Sequence, residues 1–262
     1  TDAENNSPSE FSLLSPSDEA LFTSTGITFN WQSSFDVDIY DSVAYRLHIE
    51  SGDTNFVIET GDTSFFIENF IDNQIYHWSV VAYDLNGGAT NNLGGPRMYI
   101  INLTNDTPSI VGLMAPNEGS TQSDLTPNFA WTNSYDPDPF DMVSYNLSWW
   151  EPFSTDIQSV NIDSNGFTPN GYLMDNAIYQ WRIKSEDLSG AASFSDTTYF
   201  YTDAYAEPPV NFSTIAPAPD ASMNSTVVNF KWFSTIDPDP NELIKYRIAY
   251  STDWSDTSTY IY

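Results

Sequence analysis

Acidic residues at a repeated spacing are the part of this 262-residue sequence that is best suited to chemistry. The pattern Asp-x-Asp-x-x-Asp/Glu occurs three times, at offsets of 100 and 101 residues: Asp36, Asp38 and Asp41; Asp136, Asp138 and Asp141; Asp237, Asp239 and Glu242. Carboxylate oxygens are the ligands that Ca²⁺ prefers, and the ion accepts about six to eight of them in flexible geometry. The spacing therefore raises the hypothesis of a calcium site in each repeat.

The same acids have a second interpretation that needs no metal. Asp before Pro favours a turn, and an Asp side chain accepts hydrogen bonds from nearby backbone N–H groups. The pattern also lacks the glycine and the twelfth-position glutamate of an EF-hand loop. The sequence leaves both interpretations open, a bound Ca²⁺ or a set of solvated turns, and predicts no other cofactor.

Enzymatic chemistry is not expected from these residues. The two histidines, His48 and His77, lie inside predicted strands, and no Gly-x-Ser-x-Gly elbow accompanies them. With no cysteine, the chain has no thiol nucleophile and no Cys-ligated metal site. The acids recur in every repeat, whereas a glycosidase needs one facing pair across a cleft. We predict a protein that is not an enzyme.

The charge balance excludes two classes of partner. Acidic residues number 36 against 7 basic ones, which gives a formal net charge of −29. Such a surface repels nucleic acid and anionic lipid headgroups, and no stretch reaches the roughly 20 apolar residues of a membrane span. We expect no nucleic-acid partner and no direct membrane insertion in this segment. Hydrophobic residues make up 40 %, so the chain is expected to fold.

The chain repeats itself with a period near that of the acidic pattern. Phe29-x-Trp31 recurs as Phe129-x-Trp131 and as Phe230-x-Trp232. After each Trp and its acids comes an alternating stretch, such as Val43-x-Tyr45-x-Leu47. Alternation at period two predicts strands, and about seven short strands in about 100 residues predict an antiparallel two-sheet sandwich. The fold class expected is all-β, as tandem β-sandwich modules.

Two copies of a longer motif carry a family resemblance. The first copy has Pro16, Trp31, Tyr45-x-Leu47 and Tyr76-x-Trp78-x-Val80-x-Ala82-x-Asp84; the second has Pro116, Trp131, Tyr145-x-Leu147 and Tyr179-x-Trp181-x-Ile183. The sequence thereby resembles the fibronectin type III family, as found in Ig-like tandem repeats of microbial cell-surface proteins. The resemblance implies that Trp31, Trp131 and Trp232 fill the core and that Tyr76 and Tyr179 are corner tyrosines.

The resemblance also implies where the acids meet. In the family's topology, the loop between the second and third strands lies at the same end of the sandwich as the loop after the sixth strand. That second loop holds Asp84 in one repeat and Asp187 in the next. The linker from the preceding repeat, with Asp106 or Asp203, arrives at the same end. We therefore add Asp84 and Asp187 to the predicted Ca²⁺ ligands.

Three repeats are predicted, with boundaries at Pro-containing linkers. Residues 1–106 form the first, in which 1–8 are the linker from a preceding module; 107–206 form the second; and 207–262 form a partial third. The segment is expected to belong to a longer tandem array. Its expected partners are neighbouring modules or copies of the same protein.

Asn-x-Ser/Thr triplets favour an extracellular or cell-surface location. The predicted glycosylation sites are Asn102, Asn105, Asn211 and Asn224. The function predicted is that of a structural segment, in a stalk, surface layer or filament. One alternative is an adhesin or carbohydrate-binding array that contacts a surface glycan through Trp149, Trp150 or Trp254. Another is a spacer within a secreted enzyme.

Overall fold

A computed structural model describes residues 4–38, 41–52 and 54–250, together with the backbone of a strand at 260–261. This part of the chain contains strands and no helix. It divides into two compact units. One consists of Thr1–Ser109, Ser134–Val143 and Glu186–Ser193, and the other of Ile110–Asn133, Ser144–Ser185 and Phe194–Tyr262. Two loops of the second repeat thus belong to the same unit as the first repeat.

The first repeat forms two sheets. Its strands are β1 (Leu13–Ser15), β2 (Ala20–Phe22), β3 (Ile27–Trp31), β4 (Ala44–Ser51), β5 (Thr54–Thr60), β6 (Ser64–Ile67), β7 (Gln74–Tyr83), β8 (Ala89–Asn91) and β9 (Arg97–Ile101). One sheet has the order β1-β3-β6, and the other has β2-β9-β7-β4-β5 with β8 on β7. All of these pairs are antiparallel except β2 with β9, which is parallel.

Alternation along the strands places one set of side chains between the two sheets. In β7, the side chains of Tyr76, Trp78, Val80 and Ala82 are buried, and the residues between them are half-buried or exposed. The ring of Trp78 meets that of Phe29 from the opposite sheet edge to face, with the centroids 5.1 Å apart. Truncating such a buried aromatic side chain to Ala costs about 3–5 kcal/mol. Aromatic packing is therefore the main stabilising interaction of this repeat.

The second repeat has the same strand order. Its strands are β10 (Leu113–Ala115), β11 (Thr121–Gln122), β12 (Phe129–Trp131), β13 (Ser144–Trp150), β14 (Gln158–Ile162), β15 (Gly166–Phe167), β16 (Ala177–Glu186), β17 (Ala192–Phe194) and β18 (Thr198–Thr202). The sheets are β10-β12-β15 and β11-β18-β16-β13-β14, with β17 on β16. The prediction of an all-β fold of tandem β-sandwich modules is confirmed.

The described part of the third repeat contains fewer strands. They are β19 (Thr214–Ala216), β20 (Lys231–Trp232), β21 (Ile248–Ala249) and β22 (Tyr260–Ile261), paired as β19 with β20 and β21 with β22. Trp31 and Trp131 are buried as expected, whereas Trp232 is half-buried and lies 5.4 Å from the ring of Tyr246. Trp254 lies outside the described residues.

Two tyrosines of the first repeat differ in how their hydroxyl groups are satisfied. The Tyr76 hydroxyl accepts a hydrogen bond from the backbone N–H of Ile71 at 3.1 Å, which is the contact expected of a corner tyrosine. The Tyr99 ring stacks on Tyr76, but its hydroxyl is buried without a partner among the described residues, and burial raises the pKa of Tyr99. In the second repeat, Phe200 pairs with Tyr179 where Tyr99 pairs with Tyr76.

We expect Tyr99→Phe and Tyr76→Phe to change stability in opposite directions. Removing an unpartnered buried hydroxyl relieves its desolvation cost, so Tyr99→Phe should leave the free energy of unfolding unchanged or raise it by up to about 1 kcal/mol. Tyr76→Phe removes a satisfied bond and should lower it by about 1 kcal/mol. Urea denaturation measures both. Equal destabilisation by the two variants would contradict the assignment of partners.

Candidate metal centre

Each acidic triplet lies on the loop that follows the strand with the core Trp, and each loop is held by the same backbone turn. The carboxylate of the first acid accepts a hydrogen bond from the backbone N–H two residues later. Asp36 accepts from Asp38 at 2.9 Å, Asp136 from Asp138 at 2.9 Å and Asp237 from Asp239 at 3.1 Å. The turn is the local structure that the Asp-x-Asp sequence favours.

Two of the triplets bring their carboxylates within reach of one ion. In Asp136, Asp138 and Asp141, one oxygen of each residue lies within 4.8 Å of the others, and the same holds for Asp237, Asp239 and Glu242. The middle residue of each is the most enclosed: Asp138 is 2 % exposed and Asp239 is 5 % exposed. The side chains of these two acids are therefore largely shielded from water.

The second triplet has buried oxygen atoms that no donor in the described part of the chain satisfies. They are Asp136 Oδ2 and Asp138 Oδ1, and in the first triplet Asp36 Oδ2 is in the same situation. Buried polar atoms are normally hydrogen-bonded, and an ionised oxygen that is not carries a large desolvation cost. A cation is one partner that removes this cost.

The negative charges of this loop repel one another. Burial raises the pKa of Asp136, and repulsion from Asp138, Asp141 and Asp187 adds to the rise. Burial likewise raises the pKa of Asp138, with further repulsion from Asp106, Asp141 and Asp72. The surroundings of both residues thus disfavour their ionised forms.

The linker between the first two repeats reaches the same loop. The Asp106 N–H donates to Asp138 Oδ2 at 2.9 Å, and Asp106 Oδ2 accepts from Asn73 Nδ2 at 2.8 Å. Asn73 Oδ1 is buried and has no hydrogen-bond partner within the described ranges. Asn73 precedes β7 with a left-handed backbone, at a φ of 58°. Asp106, predicted from the sequence, therefore meets the second triplet, and Asn73 holds it in place.

An equivalent arrangement occurs at the third triplet. The Glu207 N–H donates to both oxygens of Asp239, at 3.3 and 3.1 Å, and Glu207 Oε2 accepts from Asn176 Nδ2 at 3.0 Å. The Asn176 amide lowers the pKa of Glu207, but a shared hydrogen bond with Asp239, burial and repulsion together raise it. Burial raises the pKa of Asp203, with repulsion from Asp239, Asp175 and Asp237.

Asp187, predicted as a ligand, has its oxygens occupied by N–H donors. Its Oδ1 accepts from the N–H groups of Gly190 and Ala191, at 2.6 and 3.0 Å. Its Oδ2 accepts from Asn105 Nδ2 at 2.9 Å. Asp187 therefore closes its own loop and holds the linker.

Asp84 has the same role in the first repeat. It accepts from the N–H groups of Asn86 and Gly88 and from Asn5 Nδ2. Burial pushes the pKa of Asp84 upward, but these hydrogen bonds outweigh burial and leave it below its ordinary value. In this repeat Asp41 is also engaged, because its two oxygens accept from Leu85 N–H and Asn86 Nδ2.

Sequence reasoning missed Asn73, Asn176 and Glu207. A usable signal existed, because the dipeptide Asp-Asn occurs at 72–73 and again at 175–176 in the second block of the repeat. That signal indicates a repeated turn, but nothing in the sequence indicates that the turn contacts the linker.

The predicted glycosylation sites differ in exposure. Asn211 and Asn224 are exposed and Asn102 is half-buried. Asn105 is exposed as a residue, but its amide nitrogen, the atom to which a glycan attaches, donates to Asp187.

The aromatic residues of the adhesin alternative are not fully exposed where the structure describes them. Trp149 and Trp150 are both half-buried. The Trp149 ring lies 5.8 Å from that of Phe129 in the core, and Trp150 Nε1 donates to Gln180 Oε1 at 2.9 Å. These contacts give both side chains a structural role.

No protein-family model matches the sequence, and a search of curated proteins finds no match. Among solved structures, the chain is similar to the FN1–FN3 domains of chicken CNTN1, with 14 % sequence identity and a TM-score of 0.41, over 80 % of this chain and 71 % of that one. Within the described ranges, no helix is long and apolar enough to cross a membrane.

We expect Asp187→Ala and Asp136→Asn to behave differently in the presence of a chelator. Asp187→Ala removes the acceptor of three N–H donors and should lower the free energy of unfolding by about 1–3 kcal/mol. Asp136→Asn keeps an acceptor for Asp138 N–H and removes a repelled charge, so stability should be unchanged or higher. Urea denaturation without metal measures both. A similar loss in the two variants would show that both carboxylates only hold turns.

Proposed function

We propose that this chain is a structural segment of a larger extracellular repeat protein, and that Ca²⁺ stiffens the connection between its repeats. The fold of fibronectin type III-like repeats is consistent with a structural or spacer module. The observation that carries the calcium proposal is the buried carboxylate of Asp138. One of its oxygens has no hydrogen-bond donor, and Asp136, Asp141 and Asp106 lie around it.

Electrostatics supports a cation at this place. Carboxylates a few ångströms apart in a partly desolvated loop repel one another, and each ionised group also loses hydration. A divalent cation reverses both effects, because it supplies charge and coordinates the oxygens that lack donors. Ca²⁺ suits the set better than Mg²⁺, since it tolerates irregular geometry and a larger number of oxygen ligands.

The ligands proposed for the second repeat are fewer than the sequence indicated. Asp136, Asp138 and Asp141 form the site, and Asp106 is the acid that the linker brings to it. The corresponding residues of the third repeat are Asp237, Asp239, Glu242 and Glu207. Asp187 and Asp84 support their loops, because N–H donors already occupy their oxygens.

A cation bound here would act on the linker. Asp106 is attached to the loop by its backbone N–H and to Asn73 by its carboxylate. An ion that also binds the triplet would fix this residue from a third direction and reduce the freedom of the linker. This is the mechanical property that a stalk, layer or filament requires of its repeats.

We expect millimolar Ca²⁺ to raise the melting temperature of the chain relative to a chelator. A ligand that binds the folded state at about 100 times its Kd adds about 2.7 kcal/mol of stability. Differential scanning calorimetry measures the shift, with Mg²⁺ at the same ionic strength as the control for charge screening. The double variant Asp138→Asn with Asp239→Asn should lose most of the response, because only the first triplet stays unchanged. An unchanged melting temperature of the unsubstituted protein would contradict the calcium proposal.

The structural role predicts assembly that depends on Ca²⁺. Electron microscopy of the protein in Ca²⁺ should show ordered sheets or fibres, because stiff repeats present their surfaces in a constant geometry. A chelator should disperse them, and the same double variant should not form them. Separate particles under both conditions, together with binding to a glycan array, would favour the adhesin alternative instead.

A further inference from the structure

One residue that meets the acidic triplet from the preceding segment differs among the three repeats. It is Asn6 at the first triplet, Asp106 at the second and Glu207 at the third. In all three cases its backbone N–H donates to the middle acid, to Asp38, Asp138 or Asp239. The positions are therefore structurally equivalent, and only the side chain changes.

At the first two triplets, the side chain at this position decides whether the middle carboxylate is satisfied. At the third, the Glu207 N–H donates to both oxygens of Asp239. Asn6 Nδ2 donates to Asp38 Oδ1 at 2.8 Å, while Asn6 N–H donates to Asp38 Oδ2 at 2.7 Å. Both oxygens of Asp38 thus have a donor. Asp106 has no side-chain donor to offer, and Asp138 Oδ1 remains buried without a partner in a residue that is 2 % exposed.

The two side chains also differ in charge. Asp106 adds a further carboxylate to three acids, whereas Asn6 adds none. An amide N–H beside a carboxylate oxygen occupies the place that a cation would take, and its hydrogen bond partly neutralises the acid. An acidic side chain at this position therefore makes cation binding more favourable, and an amide side chain removes most of that effect.

We infer that this linker residue determines which repeat connections depend on Ca²⁺. The inference rests on the proposed function above and specifies how it is regulated from repeat to repeat. An acid, as at Asp106, makes the connection require the ion. Glu207 also adds a negative charge, but its N–H donates to both oxygens of Asp239, so the third connection depends less on the ion. An amide, as at Asn6, closes the loop directly and leaves a weaker site, since Asp36 Oδ2 has no partner among the residues that the structure describes.

The inference is tested by Asp106→Asn, with Asp106→Ala as the matched control. Titration calorimetry should show binding at the second triplet weakened by about tenfold or more in both variants, because both remove a ligand charge. Hydrogen exchange of residues 104–108 in a chelator separates them. Asp106→Asn should be as protected as the unsubstituted protein in Ca²⁺, while Asp106→Ala should gain no protection.

The reverse substitution, Asn6→Asp, provides an independent readout. In a chelator it should speed exchange at residues 36–38, because it removes a donor and adds a charge, and Ca²⁺ should restore protection. Unaltered calcium affinity in Asp106→Asn, or the same exchange in Asp106→Asn and Asp106→Ala, would overturn the inference and leave the proposed function intact. If the unsubstituted protein binds no Ca²⁺, the proposed function fails, and this inference fails with it.

Discussion

Aromatic packing between the two sheets is the interaction on which the other features depend. Trp78 against Phe29 in the first repeat, and Trp181 against Phe129 in the second, hold the sheets together at centroid distances of 5.1 and 5.2 Å. The strand order brings the loop after β3 beside the loop after β7, where the two oxygens of Asp41 accept from Leu85 N–H and Asn86 Nδ2. In the second repeat, Asp141 of the loop after β12 accepts from the N–H of Leu188, which follows β16.

Crowding of carboxylates is therefore a consequence of the fold that the loops must accommodate. The carboxylates fall into two groups, which differ in whether N–H donors reach all of their oxygens. Asp84 and Asp187 are neutralised by N–H groups of their own turns and by a linker amide. Asp138 receives only one donor from the linker, and its other oxygen has none. The donors to Asp84 and Asp187 all belong to the chain, whereas Asp138 Oδ1 has no such donor among the described residues.

The parts of this arrangement differ in how well the sequence predicts them. Strand alternation and the recurring Trp predicted the sandwich and its core, because side-chain period and burial are local properties of a strand. The triplet was recognised from its spacing. Asn73 and Glu207 were missed, and the hydrogen bond from Asn105 to Asp187 was not foreseen, because hydrogen bonds across 30 or more residues depend on the path of the linker.

The sequence by itself determined the all-β class, the repeat, the aromatic core and the acidic loops, because each follows from residue type and short-range periodicity. Only the tertiary structure decided which oxygen atoms already have donors and which do not. Asn6 and Asp106 differ little in size and lie in similar Asn-rich sequence. Whether the facing carboxylate is satisfied depends on where one N–H group points, and that direction is set by contacts distant in the chain.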